Sequence, residues 1–282
     1  MAWFAQEHHV LRSMISEAVR TGFDSYAQHL PDEMAAYLSR NGRWQERADL
    51  QRTALAAARR LGDERGQARA HYGIGNALIK VGSYQSAHAH LQHALDIFDQ
   101  LGYNSGRART HYAIATALEK QQRPGEALSH ANRALRLCQA VGDRTGQAYS
   151  FNAVGWFHAL LGNHQQALTY CQRALDLHRD LGQLFGEAIT LDSLGYSYHQ
   201  NGRYQQATAF YQQALAAYAD VSDTYFRAQT LIHLGESHRA GGMLDAAREP
   251  WRQALAILDD LHDPEASQLR ARLSSLGRLA SR

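Results

Sequence analysis

Cysteine, proline and lysine are all scarce in this chain of 282 residues. Two cysteines, Cys138 and Cys171, cannot build a disulfide framework, so a reducing, cytoplasmic setting is expected. Four prolines leave most of the chain free of helix breakers. No apolar run approaches the roughly 18–20 residues that span a bilayer, so no membrane partner is expected. The segment Met1-Ala2-Trp3-Phe4-Ala5-Gln6-Glu7-His8-His9 lacks the basic and apolar regions of a signal peptide. An excess of charge is missing too: 29 Lys and Arg stand against 27 Asp and Glu, a net +2. A dedicated nucleic-acid binder shows a clear basic excess, so direct nucleic-acid binding is not expected. Strand signals are also lacking, because no stretch alternates apolar and polar residues with β-branched ones. Ala, Leu, Gln, Arg and Glu dominate, and they favour helix. The expected fold class is all-α.

The chain repeats itself every 40 residues. Ala-Leu recurs at Ala54-Leu55, Ala94-Leu95, Ala134-Leu135, Ala174-Leu175, Ala214-Leu215 and Ala254-Leu255. Glycine recurs at Gly22, Gly62, Gly102, Gly142 and Gly182, with Ser222 next in that column. A second column holds Gly42, Gly82, Gly162, Gly202 and Gly242, broken by Gln122. A third holds Gly75, Gly155, Gly195 and Gly235, broken by Ala115. Alanine fills Ala87, Ala127, Ala167, Ala207 and Ala247. These columns predict an N-terminal helix over 1–20, six units over 21–260 with 21–60 degenerate, and a C-terminal capping helix over 261–282.

Each unit reads as two helices. In 61–100, Gly62 can take the left-handed conformation that ends one helix, and Asp63 can cap the next. Helix A then runs to about Val81, Ser83 offers a second cap, and helix B runs from about Tyr84 to Gln100. Positions 71, 74, 75 and 78 share one face of helix A. Gly75 removes a side chain where the helices meet, and Ala87 does the same from helix B. One pair cannot bury such faces alone, so successive pairs are expected to stack as a solenoid.

Tyr84, Ala87, Ala94 and Leu95, with Gly75 and Gly82, resemble the tetratricopeptide repeat pattern L-G-x-x-Y-x-x-x-G-x-Y-x-x-A…A-L, lengthened here from 34 residues to 40. The resemblance implies a right-handed α-solenoid that binds a protein or peptide segment in its concave groove. A closer resemblance lies in Trp3-Phe4-Ala5-Gln6-Glu7-His8-His9-Val10-Leu11, Asn41-Gly42-Arg43-Trp44, the stretch Ala56 to Asp63, the stretch Asn152 to Ala159, and Leu191-Asp192-Ser193-Leu194-Gly195-Tyr196. These look like the C-terminal repeat region of actinobacterial AfsR-type regulators, transcription activators of the STAND ATPase class. There, a DNA-binding domain and a nucleotide-binding domain precede the repeats. The chain has no G-x-x-x-x-G-K-[ST] loop, so it reads as the sensor region of such a regulator, excised or encoded alone. An upstream nucleotide-binding or DNA-binding domain of the same regulator is then a partner.

With 71, 74, 75 and 78 facing the core, 69, 72, 76 and 80 point the other way, which in the tetratricopeptide resemblance is the groove. Units two and three place Arg69, Tyr72, Asn76 and Lys80, then Arg109, Tyr112, Thr116 and Lys120 there. Unit four places Tyr149, Asn152 and Trp156, and unit five Asp192 and Tyr196. Arg69 and Arg109 can fork onto a carboxylate or phosphate, with Lys80 and Lys120 adding point charge. Tyr149, Trp156 and Tyr196 offer contact area at low entropy cost. Asn152 can donate to and accept from a peptide backbone.

Sixteen histidines raise the question of metal, with His88, His90 and His93 crowded on one helix and His71 and His111 sharing a column. No HExxH or CxxC spacing accompanies them, so no metal and no cofactor is expected; His71 and His111 read as packed, hydrogen-bonded histidines. Cys138 and Cys171 fall at apolar columns and read as buried. No G-x-S-x-G elbow and no activated nucleophile is present, so catalysis is not expected. On the N-terminal helix Phe4, Val10, Leu11, Met14, Ile15 and Val19 read as the apolar face, and near the C-terminus Leu269, Leu273, Leu276 and Leu279 do. The exposed ends can also pair with a second copy. The sequence thus points to a non-catalytic protein-binding scaffold, a regulator's sensor domain first. A stand-alone adaptor comes second, and a metal- or ligand-dependent enzyme third.

Overall fold

In a computed structural model, residues 2–221, 224–261 and 263–279 are described, the side chains of residues 2, 4, 5, 40, 220, 221 and 276–279 excepted. Ser222 lies outside the described residues, and the side chains of Phe4, Leu276 and Leu279 are likewise not described. The chain divides into two units, Met1–Asp143 and Arg144–Arg282. The first contains α1 (Ala2–Thr21), α2 (Asp24–Arg40), α3 (Trp44–Leu61), α4 (Glu64–Lys80), α5 (Tyr84–Gln100), α6 (Asn104–Lys120) and α7 (Pro124–Ala140). The second contains α8 (Arg144–Leu160), α9 (His164–Asp180), α10 (Leu184–Gln200), α11 (Tyr204–Val221), α12 (Thr224–Ala240), α13 (Leu244–Asp260) and α14 (Glu265–Leu279). Within each unit every helix packs on the next one along the chain, an all-α solenoid arrangement. No described helix is long and apolar enough to cross a membrane.

The helix breaks follow from backbone chemistry. At the end of α3, Gly62 adopts φ +66°, and Asp63 N–H donates to the Ala58 carbonyl at 2.9 Å, closing the last turn. The Asp63 carboxylate then caps α4 by accepting from Gly66 N–H at 2.9 Å. Ser83 occupies the corresponding place before α5, but its side chain makes no capping bond, so the expected second cap is absent. Gln122 breaks the glycine column in sequence but keeps the left-handed geometry, with φ +60° and Arg123 N–H donating to the Leu118 carbonyl at 2.9 Å.

The glycine column at 75 has a packing cause. A Cβ built on Gly75 would lie 2.6 Å from Leu91 Cγ, and one on Gly155 would lie 2.4 Å from Cys171 Sγ. On Gly195 it would meet the Tyr211 ring at 2.6 Å, and on Gly235 the Trp251 ring at 2.3 Å. Helix A therefore gives up its side chain to the helix B residue sixteen places on, and Tyr211 and Trp251 are both 1 % exposed. The exception obeys the same rule: Ala115 stands where the residue sixteen places on is Ala131, the smallest of that column. Trp251 satisfies its indole N–H on the Ile232 carbonyl at 3.2 Å.

At the first helix the sequence expectation is corrected. The buried stripe of α1 is His8, Leu11, Ile15 and Ala18, whereas Val10, Met14 and Val19 are exposed. Leu11 and Ile15 pack with Met34, Tyr37, Leu38 and Leu50. His8 is tolerated in that stripe because Nε2 lies 2.8 Å from Glu46 Oε1. At the other end Ala266 and Leu269 of α14 pack with Trp251 and Leu258, and Leu273 lies against them.

Candidate functional site

In the first unit the A helices α4 and α6 bring Arg69, Tyr72 and Arg109 together at one cavity of about 330 Å³. The Arg109 guanidinium lies over the Tyr72 ring, 4.8 Å from its centre, a cation–π contact between α6 and α4. The remaining wall comes from residues outside the predicted set. Arg47 of α3 donates to Ser39 Oγ at 2.9 Å, and Gln51 donates to Asp32 Oδ1 at 2.8 Å. The buried Nε atoms of Arg47 and Arg69 have no hydrogen-bond partner. The other predicted residues of this unit stand apart from the cavity. Asn76 donates to the Tyr72 carbonyl of its own helix at 3.3 Å. The Lys80 ammonium sits 5.6 Å from the Trp44 ring centre. Tyr112 is half-buried and Lys120 is exposed.

In the second unit α8, α10 and α12 assemble Trp156, Asp192 and Tyr196 around His233. Trp156 and Tyr196 have ring centres 4.5 Å apart, and Tyr196 and Tyr211 each lie 5.7 Å from the His233 ring. His233 Nδ1 is 3.1 Å from Asp192 Oδ1. Burial opposes protonation of His233, but the carboxylates of Asp192, Glu265 and Glu236 outweigh it and hold the pKa above the ordinary value. A cavity of about 460 Å³ opens beside this cluster, lined in part by Tyr196, His199, Tyr211, His233 and Glu236. Glu236 is met by Arg239 at 2.8 Å and Arg272 at 2.9 Å.

Two predicted residues of this unit lie elsewhere. Tyr149 packs edge-on against His178 at 4.7 Å, and burial raises its pKa. Asn152 is 7 % exposed with Oδ1 4.0 Å from Cys171 Sγ, so its amide faces helix B rather than an open groove.

The histidine columns form internal pairs. His71 and His90 approach with their Nδ1 atoms 2.9 Å apart, and 40 residues on His111 and His130 do so at 3.0 Å. One imidazole donates and the other accepts, which requires at least one neutral ring. Burial first, and the neighbouring histidine second, lower His71 and His111 to about 4. Among the described residues no group of three or more His, Cys, Asp or Glu is placed to hold a metal. Both cysteines are buried, and burial pushes the Cys171 thiol up to about 12, far from a reactive thiolate.

The repeat pattern carried a signal for the residues outside the predicted set. Arg47 occupies the column otherwise filled by Ala87, Ala127, Ala167, Ala207 and Ala247. Gln51 stands in the column of Leu91, Cys171, Tyr211 and Trp251. His233 follows Gly73, Ala113, Ala153 and Ser193. Each is a polar or bulky residue in a column of another kind, and each lies at a cavity.

Stacked helix pairs with a small-residue seam and a polar outer face on helix A define a helical-repeat scaffold. The tetratricopeptide repeat family matches residues 27–100, 106–180, 157–220 and 186–260. The chain belongs to that family, and it is a protein-interaction scaffold by fold. Among solved structures it is similar to a Rap protein complexed with competence and sporulation factor, at 16% identity and TM-score 0.67, over 91% of this chain and 76% of that one. It is similar also to a signal transduction ATPase with numerous domains from Pyrococcus horikoshii that carries a tetratricopeptide repeat sensor, at 17% identity and TM-score 0.62. That match covers 96% of this chain but 44% of the other. A third is aspartyl phosphate phosphatase F from Bacillus subtilis, at 12% identity and TM-score 0.63, over 90% and 71%. No curated protein sequence matches the chain.

Proposed function

We propose that this chain is the non-catalytic sensor region of a bacterial transcriptional regulator, and that it holds a protein or peptide segment against its A-helix faces. The observation that carries this reading is the second-unit cluster. There Trp156 and Tyr196 remain half-buried beside the Asp192–His233 pair, although the same helices bury Val154, Gly155, Leu194, Gly195, Leu234 and Gly235 against helix B. A partly open aromatic pair beside a charged pair supplies contact area and orientation together. The likeness to the ATPase with a repeat sensor supports the regulatory part of the reading. The regulated portion would be an ATPase and DNA-binding region encoded upstream or on a separate chain. Occupancy of the A-helix faces would then bias that portion through different affinity in its two states.

The test is capture of partners from host lysate by wild type and by Trp156→Ala and Arg109→Glu variants. A nucleotide-binding or DNA-binding partner held by wild type and lost by either variant is the expected result. A partner held equally by all three removes the A-helix face as the recognition surface.

A further inference from the structure

We propose that the first-unit cavity is a phosphomonoester-binding site, with Arg47, Arg69 and Arg109 as its ligands. The proposal rests on the A-helix face being a recognition surface and names the chemistry that this part of it takes.

Charge is the first argument. The charged residues lining the cavity are three arginines and Asp32, a formal balance of +2. Arginine keeps its charge in a protein, so the imbalance is not relieved by proton loss. Burial depresses the Arg47 pKa, Tyr72 and Asp32 counter it, and the like charge of Arg109 depresses it further. Three like charges gathered on one cavity repel one another, and the buried parts of Arg47 and Arg69 lose hydration as well. A bound dianion reverses both effects.

Unused donors are the second argument. Nε of Arg47 and Nε of Arg69 are buried without partners. A buried donor left unpaired costs stability, and an anion drawn into the cavity satisfies it. Register is the third. Arg47 and Gln51 are polar residues at two core columns of the same repeat, and both open on this cavity. Alanine at 47, as in the other five units, would avoid the desolvation.

A phosphomonoester fits better than a carboxylate. It carries roughly −1.5 to −2 at neutral pH, which matches the +2 of the lining, and it offers three terminal oxygens to three guanidinium groups. A lone carboxylate has one charge and two oxygens, and leaves one arginine uncompensated. The cavity of about 330 Å³ has room for a phosphorylated side chain or a small sugar-sized phosphate, with Tyr72 and Tyr103 as aromatic walls. The phosphoryl group can come from a modified residue of a partner or from a free small molecule.

Titration calorimetry on the full chain tests this with four probes: inorganic phosphate, glycerol 3-phosphate, acetyl-Ala-phosphoserine-Ala-amide and the Glu counterpart of that peptide. The expected result is a Kd below about 1 mM for at least one phosphate probe at low salt, weakening as salt rises. The Glu peptide is expected to bind about tenfold weaker or more. Arg69→Gln and Arg109→Gln each weaken the phosphate probe by about tenfold or more. Asp32→Asn tightens it, which a merely structural role for Asp32 would not produce. Arg109 is exposed, so its variant carries the test even where a variant at Arg69 fails to fold. Preference for the phosphopeptide assigns the group to a partner, preference for glycerol 3-phosphate assigns it to a small molecule, and equal affinity supports the shared chemistry. Equal or tighter binding of the Glu peptide, undiminished binding by Arg109→Gln, or no phosphate binding at about 10 mM overturns the proposal. A protein partner captured through Trp156 in the face of such a result would leave the scaffold reading standing alone.

Discussion

Adding one methyl group at Gly155 tests the packing logic of the repeat. In Gly155→Ala the new Cβ would sit 2.4 Å from Cys171 Sγ and 3.0 Å from both the Ala167 carbonyl oxygen and the Cys171 amide nitrogen. The sulfur can rotate, but the two backbone atoms cannot, so α8 and α9 must move apart. Overpacking costs about 1–3 kcal/mol, and two backbone contacts that cannot yield place this case in the upper part, about 2–3 kcal/mol. Replacing glycine by alanine in a helix interior returns about 1 kcal/mol. The net expectation is a loss of about 1–2 kcal/mol, and of more than about 2 kcal/mol for Gly155→Leu. The second variant, Cys171→Ala, removes the nearest atom. The double variant recreates the alanine pair that the chain already holds at Ala115 and Ala131, so the two changes should couple favourably by about 1 kcal/mol or more. Gly125→Ala is the control, because nothing lies within 4 Å of its Cβ. Urea unfolding followed by circular dichroism measures all five. Gly155→Ala as stable as wild type, or a double variant whose loss is the plain sum of the singles, refutes the account of the seam.

Acid should weaken the fold through the paired histidines. His71 and His111 are held near 4 when folded and return to about 6.5 when unfolded, so the unfolded chain binds more protons. Stability is full above pH 6.5 and falls as pH drops toward 4, by up to about 3 kcal/mol for each histidine; unfolding midpoints between pH 7 and 4.5 should flatten in the His71→Gln, His111→Gln double variant. Asp63→Ala should cost about 1 kcal/mol and Ser83→Ala little, because only Asp63 makes the capping bond; thermal melts decide between them. Gln122→Gly should stabilise the chain by up to about 1 kcal/mol by relieving the positive φ, and an unchanged melting temperature would count against that geometry.

The fold was legible because spacing carries it. The Gly75 and Gly155 columns state where two helices touch, and Gly62 with Asp63 states where one helix stops and the next begins. The site was legible only in part. Arg69, Tyr72 and Arg109 share a helix face, and the repeat brings that face to one cavity. Trp156, Asp192 and Tyr196 follow the same rule. Asn152 lies on the predicted stripe but is drawn under by Cys171 on the facing helix, which no single-helix projection contains. Val10, Met14 and Val19 misled because α1 has two apolar stripes, and burial chose the one with His8, whose Glu46 partner lies 38 residues away. Arg47 and His233 escaped notice because they break columns, whereas a search for repeats rewards agreement.

Photocrosslinking tests the central claim, that recognition is carried by the helix A faces, most directly. A benzoylphenylalanine placed singly at Tyr72, Tyr196, Gln92 or Gln172 samples two A-helix positions and two exposed B-helix positions. A captured partner should crosslink from 72 or 196 and not from 92 or 172. Crosslinks confined to 92 and 172 would place recognition on the B helices and contradict the account.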